Sequence, residues 1–210
     1  MRISMAAVIL AGLLLFVACA NPAEDKSKAI TGEVTSAAPQ SQTQGVKYSI
    51  TPQNSRIEFI ASKVTGSHNG SFKDFSGVIE YPGQPEESHV NVTINMASVE
   101  TDTPDLTKHL QTPDFFDVAK FPQATFVSTE IKPGGEKEAS HTITGNFQLH
   151  GVTKSITFPA TIKVNSDDVE VKSEFSINRK DFGITYAGKA DDLIRDGVVI
   201  RLDLKAPKKK

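Results

Sequence analysis

HTITGNFQLHGVTKSITFPATIKV, residues 141–164, decides the fold. On its first arm Ile143, Gly145, Phe147 and Leu149 alternate with Thr142, Thr144, Asn146 and Gln148. On its second arm Ile156, Phe158, Ala160, Ile162 and Val164 alternate with Ser155, Thr157, Pro159, Thr161 and Lys163. Period two on both arms means antiparallel strands with one apolar and one wet face. The connection His150-Gly151-Val152-Thr153 reads as a hairpin loop. A four-residue loop sets Leu149 opposite Lys154, Phe147 opposite Ile156 and Gly145 opposite Phe158, so the apolar residues of both arms share a side. The missing side chain of Gly145 then leaves room for a ring or lets the strand bend.

The same period extends outward in both directions. Towards the C-terminus, Val169, Val171, Phe175 and Ile177 alternate with charged or small polar residues, and Val198, Ile200, Leu202 and Leu204 close the series. Towards the N-terminus, 126–131 is one run, and Val90, Val92, Ile94 and Met96 form the cleanest alternation in the chain. Before these, 72–81 is a strand interrupted by Gly77, 66–70 reads as a loop, and 56–64 and 46–50 are two further strands. Roughly eight or nine strands result, enough for an all-β, antiparallel, eight-stranded barrel or a two-sheet sandwich. Both bury the same residues, but only the barrel has an interior that holds one small ligand.

One stretch breaks the period, TDTPDLTKHLQTPDFFDVAKF at 101–121. Thr103 before Pro104 is an N-cap signal, Asp105 suits the positive helix end, and Pro113 stops the helix. Leu106 and Leu110 share one face. Phe115, Phe116 and Phe121 are too many rings for an exposed loop, so this short helix segment is expected to fold back as a lid over one end of the barrel.

Composition sets limits. The chain has 210 residues, 38% hydrophobic and 23% charged, with a formal net charge of -2. This is an ordinary globular balance without the basic footprint of nucleic-acid binding. The single cysteine excludes an internal disulfide framework and multi-cysteine metal sites.

That cysteine sits at the end of a short apolar run, Met5 to Ala18, preceded by Arg2. The run is too short to span a bilayer and lies where a secretory core belongs. Phe16-Val17-Ala18-Cys19 resembles the bacterial lipoprotein signal, although Phe16 stands where leucine is usual. The resemblance implies a signal peptide over 1–18, a lipidated Cys19 and, with Ala20 following, an outer-membrane location on the periplasmic side. An ordinary signal peptide cleaved near Ala20 is the alternative. From there to residue 45 the chain is rich in Ala, Pro, Ser, Thr, Gln, Glu and Lys. Such a segment buries too little to offset its chain entropy, so 19–45 is expected to be a flexible tether, with the folded domain over 46–207.

Residues 46–206 resemble the YceI-like family of bacterial envelope proteins. The resemblance rests on Tyr48-Ser49-Ile50, on Gly70-Ser71-Phe72-Lys73-Asp74-Phe75-Ser76-Gly77, and on Lys108-His109-Leu110 followed by Asp114-Phe115-Phe116-Asp117 and Phe121-Pro122. It continues through Ile143-Thr144-Gly145, Leu149-His150-Gly151-Val152-Thr153-Lys154 and Arg179-Lys180-Asp181-Phe182-Gly183. It implies a lipocalin-like extended β-barrel with an apolar tunnel that binds a polyisoprenoid, an isoprenoid quinone or another long-chain amphiphile. No cofactor is required, and a homodimer is compatible with it.

The candidate tunnel residues are Phe59, Phe72, Val92, Ile94, Met96, Phe126, Phe147, Phe158, Phe175, Ile177 and Ile200, with Phe115, Phe116 and Phe121 at the lid. For any one of them plain core filling is the more ordinary reading, and only the family resemblance assigns the set to a tunnel. His109 is a candidate for the tunnel mouth or for pinning the lid, and Asp105 one turn away is its expected partner. Arg179 is either one half of a turn-holding pair with Asp181 or a head-group contact. The five histidines show no zinc spacing. No nucleophile motif, phosphate loop or catalytic carboxylate pair is visible. An enzyme acting on the lipid would need Arg179, Asp181 and His109 to converge; a filled-core interaction module would leave no continuous void.

Overall fold

The structure, a computed structural model, describes residues 21–36 and 45–209. In chain order its elements are β1 (Ser27–Lys28), β2 (Ile30–Gly32), β3 (Val46–Ile50), β4 (Arg56–Lys63), β5 (Gly66–Phe72), β6 (Phe75–Tyr81), β7 (His89–Asn95), β8 (Val99–Thr101) and α1 (Pro104–Leu110). There follow β9 (Gln123–Pro133), β10 (His141–Leu149), β11 (Val152–Val164), β12 (Asp168–Asn178), β13 (Gly188–Lys189), β14 (Asp192–Leu193) and β15 (Gly197–Pro207). Thirteen strands belong to one sheet, and β13 and β14 form a separate hairpin.

The strands of the sheet are more numerous than eight because three long ones are bent and because β1 and β2 join it. β3 pairs β6 while β4 pairs β5, so β3–β4 and β5–β6 are two continuous runs lying antiparallel. β6 pairs β7 while β5 pairs β8, which makes β7–β8 a third run. With β9, β10, β11, β12 and β15 these give eight antiparallel runs, each paired to the next in the chain. The sheet curls until its ends meet. β15 pairs β4, Tyr48 bridges Lys208, and the Lys209 N–H donates to the Lys47 carbonyl. The expected lipocalin-like antiparallel barrel is the fold observed.

Two local expectations change. Residues 66–70 are strand, not loop, and the break in the next run falls at Lys73–Asp74 instead of Gly77. A polar, glycine-rich segment serves as strand here because Phe59, the register partner of Gly70, lays its ring where a side chain would stand; a methyl on Gly70 would lie 2.1 Å from it. At the bend, Ser98 holds the corner by accepting from the Lys73 and Asp74 N–H groups through its carbonyl and Oγ.

The hairpin at 141–164 has a two-residue loop instead of four. His150 (φ 51°) and Gly151 (φ 76°) both take the left-handed conformation that matches the twist of the strands. Leu149 therefore faces Val152, Phe147 faces Lys154 and Gly145 faces Ile156. A shift by two preserves the faces, so the apolar set still shares a side. The ring over Gly145 comes from Phe126 of β9 and not from Phe158: a methyl there would lie 2.3 Å from it. The β9–β10 ladder shifts register between Thr144 and Gly145, which is the expected irregularity.

Residues 21–36 are not a free tether. β1 lies parallel to β12, with Ser27 beside Phe175, and β2 lies antiparallel to β11, with Thr31 beside Ile156. The segment is thus a short stave inserted between β11 and β12, whose direct ladder is confined to Thr161–Val164 and Val169–Lys172. Upstream, Ala23 packs with Ile60 and Val199 in a small cluster outside the main core. Downstream, the Thr35 N–H donates to Asn146. Composition argued for solvation, but two strand edges that have parted offer backbone bonds that no side chain announces.

α1 begins at Pro104 after an extended Thr103, as the sequence indicates, but Thr103 makes no side-chain cap. Thr107 and Thr101 bond to each other instead.

Candidate functional site

The interior alternation of the eight runs converges on two apolar voids that lie side by side inside the barrel with five wall residues in common. The first, about 130 Å³, reaches from Tyr81, Pro85 and Ser88 at the β6–β7 turn and Val164 at the end of β11 inward to Phe72, Ile94, Phe147, Ile177 and Ile200. The second, about 90 Å³, shares those five residues and continues to Leu110, Phe115 and Phe116 of the lid and to Ile184 and Ile194. Together their walls run from the β6–β7 turn to the lid. Voids with such walls stay dry and accept apolar guests.

Of the residues expected to line a tunnel, Val92, Phe126, Phe158 and Phe175 line the first void and Phe59 and Met96 the second. Phe72, Ile94, Phe147, Ile177 and Ile200 line both. Phe115 and Phe116 close the far end as lid residues, and Phe116 meets Phe59 and Phe72 edge-on or tilted. Phe72, Phe126, Phe147, Ile162, Ile200 and Leu202 point inward yet stay only half-buried. In a filled core those side chains would be covered; here their free area faces the voids.

Phe121 and His109 line neither void. Phe121 lies over the β10–β11 turn, where its ring takes the place of a side chain on Gly151 and meets the His150 ring edge-on at 4.8 Å. It fastens the lid segment to the hairpin from outside. His109 is half-buried and its Nε2 lies 2.8 Å from Asp114, not from Asp105. The α1 chain ends at Leu110 and turns back, which brings Asp114 under the ring. His109 also meets Phe115 and Tyr186 edge-on at 5.0 and 5.3 Å. The role that survives for it is pinning the lid.

Arg179 borders the second void but does not pair with Asp181. Only 4% exposed, it donates from Nε to the Arg195 carbonyl, from Nη1 to Ile184 and from Nη2 to Ile194 and Asp196. Burial pushes its guanidinium below the ordinary arginine value while Asp196 pulls the other way; an arginine remains charged regardless. Its donors face loop backbone, so it ties 179–184 to 194–196. Arg179 and His109 each have a partner other than Asp181. Among the described residues no group of three or more His, Cys, Asp or Glu side chains is placed to hold a metal ion.

Ile57, Ile79, Ile131, Ile143 and Ile156, outside the set of tunnel candidates, also line the first void. The period-two pattern that marks the phenylalanines marks them as well. Ile184 and Ile194 lie on a loop without periodicity and carry no such signal.

The YceI-like domain model matches residues 48–206. Protein YceI of Salmonella arizonae and that of Salmonella newport are each 43% identical over 123 residues, 55% of this chain and 63% of theirs. The chain thus matches less than two thirds of these relatives' length. Among solved structures, Burkholderia cenocepacia BcnA superposes with a TM-score of 0.65 at 25% identity, covering 74% of this chain and 98% of BcnA. Campylobacter jejuni YCEI protein gives 0.55 at 28%, covering 67% and 85%. A polyisoprenoid binding domain from Saccharophagus degradans gives 0.62 at 18%, covering 78% and 99%, a likeness of fold alone. With the family match spanning every run of the barrel from β3 to β15, the chain belongs to the YceI-like family.

Proposed function

We propose that the protein binds a long-chain amphiphile, a polyisoprenoid or isoprenoid quinone by preference, with its chain along the two voids. The observation that carries this is the set of inward but half-buried apolar side chains around a dry space. Each methylene moved there from water contributes about 0.8 kcal/mol, so affinity needs no specific polar contact. Binding of polyisoprenoid by the Saccharophagus degradans domain, which has the same fold, supports the reading. Transport or storage of the chain is the use we propose for such binding.

Cys19 lies outside the described residues. We propose that it is diacylated and holds the barrel on the periplasmic side of the outer membrane, on the strength of the signal-like sequence before it. Palmitate labelling of the wild type, lost in Cys19→Ala, is the expected result; equal labelling of both rejects it.

Native mass spectrometry with lipid extraction tests the binding proposal on detergent-free protein. A co-purifying or added long-chain molecule is expected, lost in Phe147→Asp and reduced in Ile162→Trp, which fills the first void. A clean mass after incubation with isoprenoid quinones and fatty acids rejects it in favour of a filled-core module.

A further inference from the structure

Of the ladders that join the eight runs of the barrel, that of β11 with β12 is the shortest. The ladder of β10 with β11 runs through nine pairs and that of β12 with β15 through eleven, whereas β11 and β12 pair directly only four times. Above that, β11 and β12 part, and the gap is filled by β1 and β2, residues outside the family match at 48–206.

This inserted piece is a poor permanent stave. Its inward positions are Ser27, Ala29 and Thr31, as their register beside Phe175 and Ile156 requires. Small side chains bury little apolar area, and stability follows that area. The Ser27 hydroxyl is buried without a hydrogen-bond partner, which costs free energy. Ile30, on the outward side, is 73% exposed. What holds the piece is backbone pairing, the Lys26–Glu174 ion pair at 3.1 Å, the Ala23 contact with Ile60 and Val199, the Lys137 bond to the Asp25 carbonyl and the reciprocal bonds of Thr35 with Asn146. The side chains directly behind it are Phe158 and Phe175, both lining the first void.

We propose that the 27–32 segment is a removable stave, and that the β11–β12 seam is a side port through which an apolar chain enters the cavity. The proposal rests on the chain-binding reading above. A chain entering laterally need not thread past the lid or the end turns; it slides between two strands whose polar edges the stave otherwise satisfies. Segments with few buried apolar contacts are those that open locally.

The test locks the stave on the full chain. Ile30 and Thr157 are register partners on antiparallel strands, a geometry with Cα atoms about 4.5 to 5.5 Å apart that a disulfide can bridge. In the double variant Ile30→Cys/Thr157→Cys, with the bond between positions 30 and 157 confirmed by peptide mapping, stopped-flow uptake of cis-parinaric acid and of a dansylated geranylgeranyl chain is compared oxidised and reduced. Uptake at least about tenfold slower when oxidised, restored by reduction, is expected for a gated entry. Equal rates overturn the port while leaving chain binding intact. Wild-type protein that takes up neither probe overturns the chain-binding reading and the port with it. Hydrogen exchange on the wild type needs no variant: the Ala29 amide, bonded to the Ser176 carbonyl, is expected to exchange faster than the β12–β15 ladder. Exchange of both only through global unfolding overturns the proposal.

Discussion

Phe158 of β11 and Phe175 of β12 stack with their ring centroids 4.2 Å apart and their planes 10° from parallel, at the point where the two strands cease to pair. Continuing the register of Thr161 with Lys172 by three residues makes them direct partners. The rings therefore tie the seam from inside after the backbone ladder has stopped. A stacked pair contributes about 0.5 to 1.5 kcal/mol beyond its area. A double-mutant cycle of Phe158→Leu and Phe175→Leu by urea unfolding is expected to return a coupling of that size. Strict additivity would mean that the rings merely share a core.

Gly70 and Gly145 are each covered by a ring, from Phe59 and Phe126 respectively. Gly70→Ala and Gly145→Ala are expected to destabilise the protein by about 1 to 3 kcal/mol, the usual range for overpacking. Gly66→Ala, where nothing lies within 4 Å of the added methyl, serves as control and is expected to be near neutral. Thermal denaturation of the three variants decides it. Similar melting temperatures for Gly66→Ala and Gly70→Ala would show that the Phe59 ring simply moves aside.

These glycines mark where the sequence was and was not legible. Alternation alone located β7, β10, β11, β12 and β15 and the faces they turn inward, because each buries one face and pairs along most of its length. Thr103-Pro104 located α1, and the three phenylalanines after it announced a lid. Residues 66–70 carry no strand signal because their small and polar side chains answer to a ring on β4, a partner invisible locally. Residues 27–32 carry none because their place depends on a gap between two distant strands. Arg179 and His109 were legible as fixed points, but their partners, Asp196 and Asp114, follow from how the loops turn and not from helical or adjacent spacing.

Arg179 is the clasp of the 179–196 loop, with four bonds from one planar group to Ile184, Ile194, Arg195 and Asp196. A lysine keeps the charge but has no fork to reach three carbonyls. Arg179→Lys is expected to cost about 3 to 5 kcal/mol, as breaking a buried charged network does, and to raise exchange at the Ile184 and Ile194 amides, whose carbonyl partners belong to the same loop. A variant with native stability and unchanged exchange would assign the loop's order to Phe182 and Ile184 packing instead.

Glu174 links the inserted stave to the barrel by binding both Lys26 and Arg201. Partial burial raises its carboxyl, but the hydrogen bonds and charges of Arg201 and Lys26 outweigh that and hold it below its ordinary value of 4.5. A carboxylate depressed in the folded state contributes stability that is fully present above the unfolded value and is lost as pH falls through the lower folded one. Stave protection, read at the Ala29 amide, is therefore expected to be constant at neutral pH and to decline only below 4.5. Glu174→Gln removes the titrating group, so its protection at neutral pH should already match that of the acidified wild type. The pair is partly solvated and the effect correspondingly small, so the informative quantity is the difference between wild type and variant at each pH. No difference between wild type and variant at neutral pH would assign the stave's hold to its backbone bonds and its other contacts, with Glu174 serving only Arg201.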